Sequence, residues 1–261
     1  LPGALPVAGL KNGIEFRDVS FAYERQANGH PVLNGISLSL PMGKTVGLVG
    51  RIGSGKSTLA QLVPRLFDAS SGEVLIDGQD VRKLSLRDLR KALGYVPQEP
   101  FLFSTSLRRN LAFGRDNVSD QDLQRAVRIA RLDRDIENFP QGLDTVVGER
   151  GVTLSGGQKQ RATLARALAI DPPVLILDDC LSSVDAQTEA EILQGLRSIL
   201  KEKTCLIISH RISAVKDADE ILVFEDGRIL ERGTHQQLVE RGGLYAELHQ
   251  QQRLTEELEQ I

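Results

Sequence analysis

The 261 residues contain no tryptophan, one methionine, two cysteines, four histidines and three tyrosines. The two cysteines, Cys180 and Cys205, sit inside apolar runs and supply no disulfide framework; they read as small buried residues of a protein from a reducing compartment. No apolar run approaches the roughly 18 residues that cross a bilayer, the longest being 174–177 and 205–208, so nothing in the chain is expected to span a membrane. Neither sign of charge is in excess: 32 Lys and Arg against 35 Asp and Glu leave −3. That balance argues against nucleic acid as the main partner and makes any phosphate binding local. With 41% hydrophobic and 26% charged residues, the chain has ordinary globular usage, which excludes disorder and low complexity.

At roughly 100–200 residues per domain, the length fits one large domain or a domain carrying an inserted subdomain. Residues 1–11, punctuated by Pro and Gly, lack a signal-peptide start and helical periodicity, and read as a linker from a longer protein. Alternating patterns predict strands over 14–23 and 33–40, with further strands at 45–50, 72–78 and 94–98. The apolar run 45–50 ends in glycine and feeds a helix from Lys56, a βα unit. Ser85 followed by Asp88 predicts a helix start over 85–93. Between about 99 and 165 the strand signal vanishes and helical patterns appear at 119–132 and 156–170, which suggests an inserted helical subdomain. The runs 174–179 and 204–210 bracket a helical stretch near 188–200, the rhythm of a parallel sheet with crossover helices. Asp226-Gly227 predicts a hairpin within 219–233, and a helical tail follows.

Gly50-Arg51-Ile52-Gly53-Ser54-Gly55-Lys56-Ser57 fits G-x-x-x-x-G-K-[ST] in full, between a predicted strand and a predicted helix. Glycines at these spacings let backbone N–H groups turn inward around phosphate oxygens, and the helix that follows, with Thr58 in its first turn, aims its positive end at them. Lys56 should reach the β and γ phosphates and Ser57 should ligate Mg²⁺. Such a loop needs a carboxylate facing the metal, and Asp178, ending 174–178, is the expected supplier. Adjacent residues at a strand end point to opposite sides, so Asp179 is expected to face the attacking water.

Leu154-Ser155-Gly156-Gly157-Gln158 resembles the signature motif of ATP-binding-cassette (ABC) proteins. Other pieces are similar to that family in order: Tyr23 to the adenine-stacking aromatic, Gln98 to the Q-loop, Ser183-Val184-Asp185 to the D-loop, His210 to the switch histidine. Gly148-Glu149-Arg150-Gly151 resembles the coupling loop of ABC exporters, in which Glu149 and Arg150 would meet the transmembrane domain. The resemblance covers residues 12–248 and implies an α/β P-loop NTPase of the ABC ATPase type: a RecA-like parallel-sheet core, an antiparallel β-subdomain and an inserted helical signature subdomain (99–165). Residues 1–11 would then lead from a transmembrane domain of the same polypeptide, and 249–261 would form a C-terminal helical tail. It further implies ATP and Mg²⁺ as ligands, with Ser57, Gln98 and Asp178 around the metal and Asp179, Gln98 and His210 as the catalytic group. A head-to-tail dimer would sandwich two ATP molecules at the cytoplasmic face of the plasma (inner) membrane. The amides of Ser155, Gly156 and Gly157, at a helix start, would clamp the γ-phosphate held by the other chain. Tyr23 could equally be a core aromatic. His30, His235 and His249 show no metal spacing and read as solvated surface residues.

One residue departs from the family pattern. The position after the metal-facing aspartate is usually glutamate, the general base; here it is Asp179. The lost methylene withdraws the carboxylate, and a misplacement of about 1 Å can cost about 100-fold in rate. The expectation is therefore a slow site in the non-consensus subunit of a heterodimeric exporter, with LSGGQ completing the partner's active site. A competent homodimer, a regulatory module gated by nucleotide with little hydrolysis, and a soluble ABC clamp on nucleic acid are the alternatives; near-neutral charge and the 148–151 loop weigh against the last.

Overall fold

A computed structural model describes residues 4–7, 10–23, 31–115, 117–148 and 151–259. The chain divides into two compact units, one made of Leu1–Arg90 with Lys203–Ile261, the other of Lys91–Glu202.

In the first unit, β1 (Gly13–Phe21) alternates buried and exposed residues, as a sheet with one packed face requires, and pairs antiparallel with β2 (Leu33–Pro41). The register shifts between Phe16 and Val19, beside Asp18, whose φ of 48° marks a bulge. With β4 (Ser71–Ile76) and the short β5 (Gln79–Asp80) these strands form a four-stranded antiparallel sheet in the order β2-β1-β4-β5, the expected β-subdomain. β3 (Thr45–Gly50) is buried at every residue and lies parallel to β8 (Thr204–Ile208) on one side and β9 (Glu220–Glu225) on the other. β9 turns back into β10 (Arg228–Gly233) through Asp226 and Gly227, both at positive φ (46° and 74°), which is the hairpin predicted from the Asp-Gly pair.

Helix α1 (Lys56–Leu62) is shorter than the apolar pattern running to Phe67 suggests, because Pro64 has no N–H to continue it. α8 (Ile212–Val215) follows β8. α9 (His235–Arg241) opens with a capping box between Thr234 and Gln237 and closes on Gly242 at φ 69°, and α10 (Leu244–Glu259) completes the unit. The stretch expected as a C-terminal tail from 249 is thus the second half of a helix that begins at Leu244. Leu5 pairs with the 83–85 segment, donating to Lys83 O and accepting from Ser85 N–H, each at 2.9 Å.

The second unit holds β6 (Leu93–Val96), parallel to β7 (Val174–Asp178), and the helices α3 (Leu107–Leu111), α4 (Asp120–Ile129), α5 (Asp133–Glu137), α6 (Gly156–Ala169) and α7 (Ala186–Leu200). α2 (Leu86–Lys91) ends at the boundary between the units. Ser119, three residues before Asp122, caps α4 as that spacing predicts, and Ser155 caps α6. α3 and α5 were not anticipated; each is only five residues long, too short for a periodic apolar pattern. Arg166 of α6 donates to Asn110 O at 2.8 Å and lies over the rings of Phe103 and Phe113, which ties α3 to α6. Both cysteines are buried, as expected, and burial pushes the Cys180 thiol up to about 12.

Candidate functional site

In the first unit the phosphate loop leaves the end of β3 at Gly50, whose φ is 143° and where a Cβ would fall 2.1 Å from Phe224 O. Only glycine lets the two backbones approach so closely. Arg51, Ile52 and Gly53 form the exposed crest of the loop, while Ser54, Gly55 and Lys56 are buried. The hairpin turn props the loop from behind, Gly227 N–H donating to Ser54 O at 3.2 Å. Lys56 Nζ lies inside the ring of backbone, donating to Gly50 O at 2.9 Å, Arg51 O at 2.8 Å and Ser54 Oγ at 3.1 Å. A buried ammonium surrounded by a loop of backbone groups is the arrangement that receives phosphate oxygens. Ser57 is the second residue of α1 and half-buried.

Tyr23, two residues beyond β1, joins the loop through α1: its hydroxyl is 3.1 Å from Thr58 Oγ1. Its ring meets Phe21 and Phe67 edge-on, at 4.8 Å and 5.3 Å between centroids, and remains half-buried. His210 lies two residues beyond β8. Because Leu48 of β3 pairs with Ile208 of β8 in a parallel register, the phosphate loop and His210 leave the sheet at the same edge.

The second unit assembles a carboxylate pair and an amide. Asp178 ends β7, is 1% exposed and accepts from the Tyr95 hydroxyl at 3.3 Å. Asp179 is 8% exposed and lies 3.4 Å from Gln98 Nε2, which follows β6. The parallel pairing of Val96 with Leu177 brings Gln98 and Asp179 side by side. The two aspartates are not separated by strand alternation, as anticipated: β7 stops at Asp178, and Asp179 turns away in the left-handed region at φ 45°.

The signature begins α6. Leu154 is buried, Ser155 and Gly156 are exposed and Gly157 half-buried. Ser155 Oγ accepts from Gln158 N–H, and Gln158 Oε1 accepts from Ser155 N–H at 2.9 Å. That capping box occupies the N–H groups of Ser155 and Gln158 and leaves those of Gly156 and Gly157 without acceptors inside the helix. The Gln158 amide is committed to the cap and, through Nε2, to Asp135 at 2.7 Å. Asp185 caps α7 by accepting from Thr188 N–H at 2.9 Å, a bond that holds its carboxyl below the usual range.

Tyr95 and Gln160 join the site without any sequence signal. Gln160, 2% exposed, donates to Ser182 Oγ at 2.9 Å and accepts from Ser183 N–H at 2.8 Å, fastening the 182–185 loop to the signature helix. A Cβ on Gly157 would stand 2.8 Å from Ser183 O, so the two segments are packed backbone to backbone. Gly151 N–H donates to Gly148 O at 3.1 Å, whereas Glu149 and Arg150, expected at the coupling loop, lie outside the described residues. His30 does too. His235 and His249 are not the solvated residues anticipated: both are half-buried, their rings 5.1 Å apart, and His235 Nδ1 is 2.7 Å from the hydroxyl of Tyr245.

The sequence pattern of the ABC transporter family matches residues 33–182. The uncharacterized ABC transporter ATP-binding protein YwjA of Bacillus subtilis is 47% identical over 251 residues, 96% of this chain and 43% of that protein. The ATP-dependent lipid A-core flippase of Pectobacterium atrosepticum is 46% identical over 251 residues, again 96% and 43%. Among solved structures, a bacterial Atm1-family ABC exporter with ATP bound matches with a TM-score of 0.88 and 40% identity, over 97% of this chain and 44% of that one. The chain spans less than half the length of these relatives.

Proposed function

The chain belongs to the ABC transporter family as an ATPase domain of the exporter type, and from that premise we propose that it binds and hydrolyses ATP to drive export through a transmembrane domain of the same polypeptide. The observation that carries this reading is the loop 50–58, with the buried Lys56 ammonium held inside a turn of backbone groups. In this proposal Lys56 and the loop amides hold the β and γ phosphates, and Tyr23 borders the base. Ser57, Asp178 and Gln98 offer a hydroxyl, a carboxylate and an amide oxygen, all hard donors that suit Mg²⁺, which when bound neutralises phosphate charge. Asp179 accepts a proton from the attacking water, His210 steadies the γ-phosphate, and the free amides of Gly156 and Gly157 close on the nucleotide of a partner chain.

An exposed aromatic cluster supports a membrane-embedded partner. Phe101, Phe103 and Phe113 are 62%, 38% and 54% exposed; Phe101 meets Phe103 edge-on at 5.0 Å between centroids, and Phe103 meets Phe113 at a tilt at 4.5 Å. Apolar rings in such a group mark a seat for another protein surface. Among the described residues no helix is long and apolar enough to cross a membrane. By its likeness to ABC exporters, the proposal places this domain at the cytoplasmic face of the inner membrane, against helices of the transmembrane part.

We assign the chain to the slow half of a heterodimer because Asp179 replaces the longer acid. The competent homodimer is the second reading, favoured by the retention of His210 and by the approach of Asp179 to Gln98. ATP binding and hydrolysis per site, measured against protein concentration for the full chain and for Lys56→Ala, test both. The proposal expects binding abolished by Lys56→Ala, and slow turnover that rises with concentration. Turnover near 10 s⁻¹, a typical enzyme value, favours the homodimer, and turnover independent of concentration removes the dimeric site.

A further inference from the structure

The start of α8 lacks a local cap. Arg211 occupies the N-cap position and makes no side-chain hydrogen bond to the helix, so the first-turn N–H groups miss the acceptor that Ser, Thr or Asp supplies elsewhere. An acceptor arrives from 40 residues away: Gln252 Oε1, on α10, accepts from Ile212 N–H at 2.8 Å. The other end of the same amide, Nε2, donates to the backbone carbonyl of His210. One side chain therefore grips the backbone on both sides of Arg211.

The rest of the segment is equally tied down. Ser209 N–H donates to Leu48 O at 3.2 Å, fixing the segment to β3, and Ser209 Oγ accepts from Arg211 N–H at 3.0 Å. α10 is anchored at its own start, where Leu244 N–H donates to Glu231 Oε1 at 2.6 Å and Tyr245, 0% exposed, packs its ring against His235. Tyr245 and Gln252 are seven residues apart, on one face of the helix, so the anchored end sets where the Gln252 amide lies.

We propose that Gln252 is a positioning residue for His210: its two-ended amide sets the height of the His210 backbone at the edge of the sheet, and α10 thereby governs how far the imidazole reaches toward the nucleotide. This rests on the reading of His210 given above. The chemistry is demanding, because the clasp needs a donor and an acceptor on one planar group. Methionine keeps the length and supplies neither; glutamate keeps the acceptor for Ile212 and has no proton for His210.

The test is single-turnover hydrolysis of radiolabelled ATP by the full chain, for Gln252→Met and Gln252→Glu, each alone and combined with His210→Ala, with half-saturating ATP concentration and melting temperature measured alongside. Both Gln252 variants should slow the hydrolytic step about 5- to 50-fold, change half-saturation by less than about twofold, and have no further effect once His210 is alanine. Equal losses with and without His210 would overturn the proposal while leaving the role of His210 standing, as would unchanged rates in both Gln252 variants. Full turnover by His210→Ala alone would overturn the reading of His210 and this proposal with it. Gln252→Glu, keeping one of the two bonds, answers the question if Gln252→Met melts early.

Discussion

Lengthening Asp179 by one carbon sets a catalytic gain against a backbone cost, and the fold allows both to be sized. If the carboxylate of Asp179 stands about 1 Å short of the attacking water, glutamate recovers up to about 100-fold in rate, or about 2.7 kcal/mol of barrier. The present contact does not hold the shorter side chain strongly, since 3.4 Å from Gln98 Nε2 is a long hydrogen bond. Against this stands φ 45° at residue 179. Aspartate is several-fold enriched in that region relative to most residues, and a several-fold preference converts to about 0.5–1 kcal/mol. Asp179→Glu should therefore hydrolyse ATP faster while melting about 1–4 °C lower. Phosphate release as a function of protein concentration, with melting of the same samples, reads both quantities. An unchanged or slower rate with ATP binding intact would refute the short-carboxylate argument, and a higher melting temperature would refute the backbone argument.

Gly50→Ala should cost about 3 kcal/mol or more or prevent folding, because the added carbon would stand 2.1 Å from Phe224 O; near-normal melting and ATP binding would contradict the close approach. Gln160→Met removes the partners of Ser182 Oγ and Ser183 N–H, so about 1–3 kcal/mol of stability and much of the concentration-dependent turnover should go together. Loss of neither would show that the 182–185 loop does not depend on α6. His235 answers to pH: burial first, then the charges of His249 and Lys216, hold its imidazole below the ordinary 6.5, with Asp217 opposing. The neutral ring is thus the form the fold prefers, so its contribution is complete above about pH 6.5, declines as the pH falls through that value, and is exhausted below the lowered folded value. His235→Gln should flatten the melting-temperature profile in that acidic window, and an unchanged slope would show that another group titrates there.

What could be read from the sequence is what the backbone decides locally. Ser119 with Asp122 spans three residues and became a helix cap; the Asp226-Gly227 turn and the glycines of the phosphate loop follow the same logic, since positive φ selects their residue types. Ser155 with Gln158 and Asp185 with Thr188 form caps of the same spacing that only the structure showed. The strand argument applied to Asp178 and Asp179 failed for a local reason too: alternation holds only while a strand continues, and β7 ends between them. The residues that escaped notice share a different property. Tyr95, Gln160 and Gln252 are 83, 22 and 40 positions from the groups they hold, and none belongs to a motif; the strand and helix patterns that contain them say nothing of these partners. Two of them are glutamines, whose uncharged amide satisfies a donor and an acceptor at once and so suits the clasping of two neighbouring backbone or hydroxyl groups on a segment far away in the sequence. Such a residue leaves no trace in composition, charge or spacing; its role exists only once the fold has brought both partners within about 3 Å. The groups proposed to touch phosphate are therefore legible in a line of sequence, and the groups proposed to aim them are legible only in three dimensions.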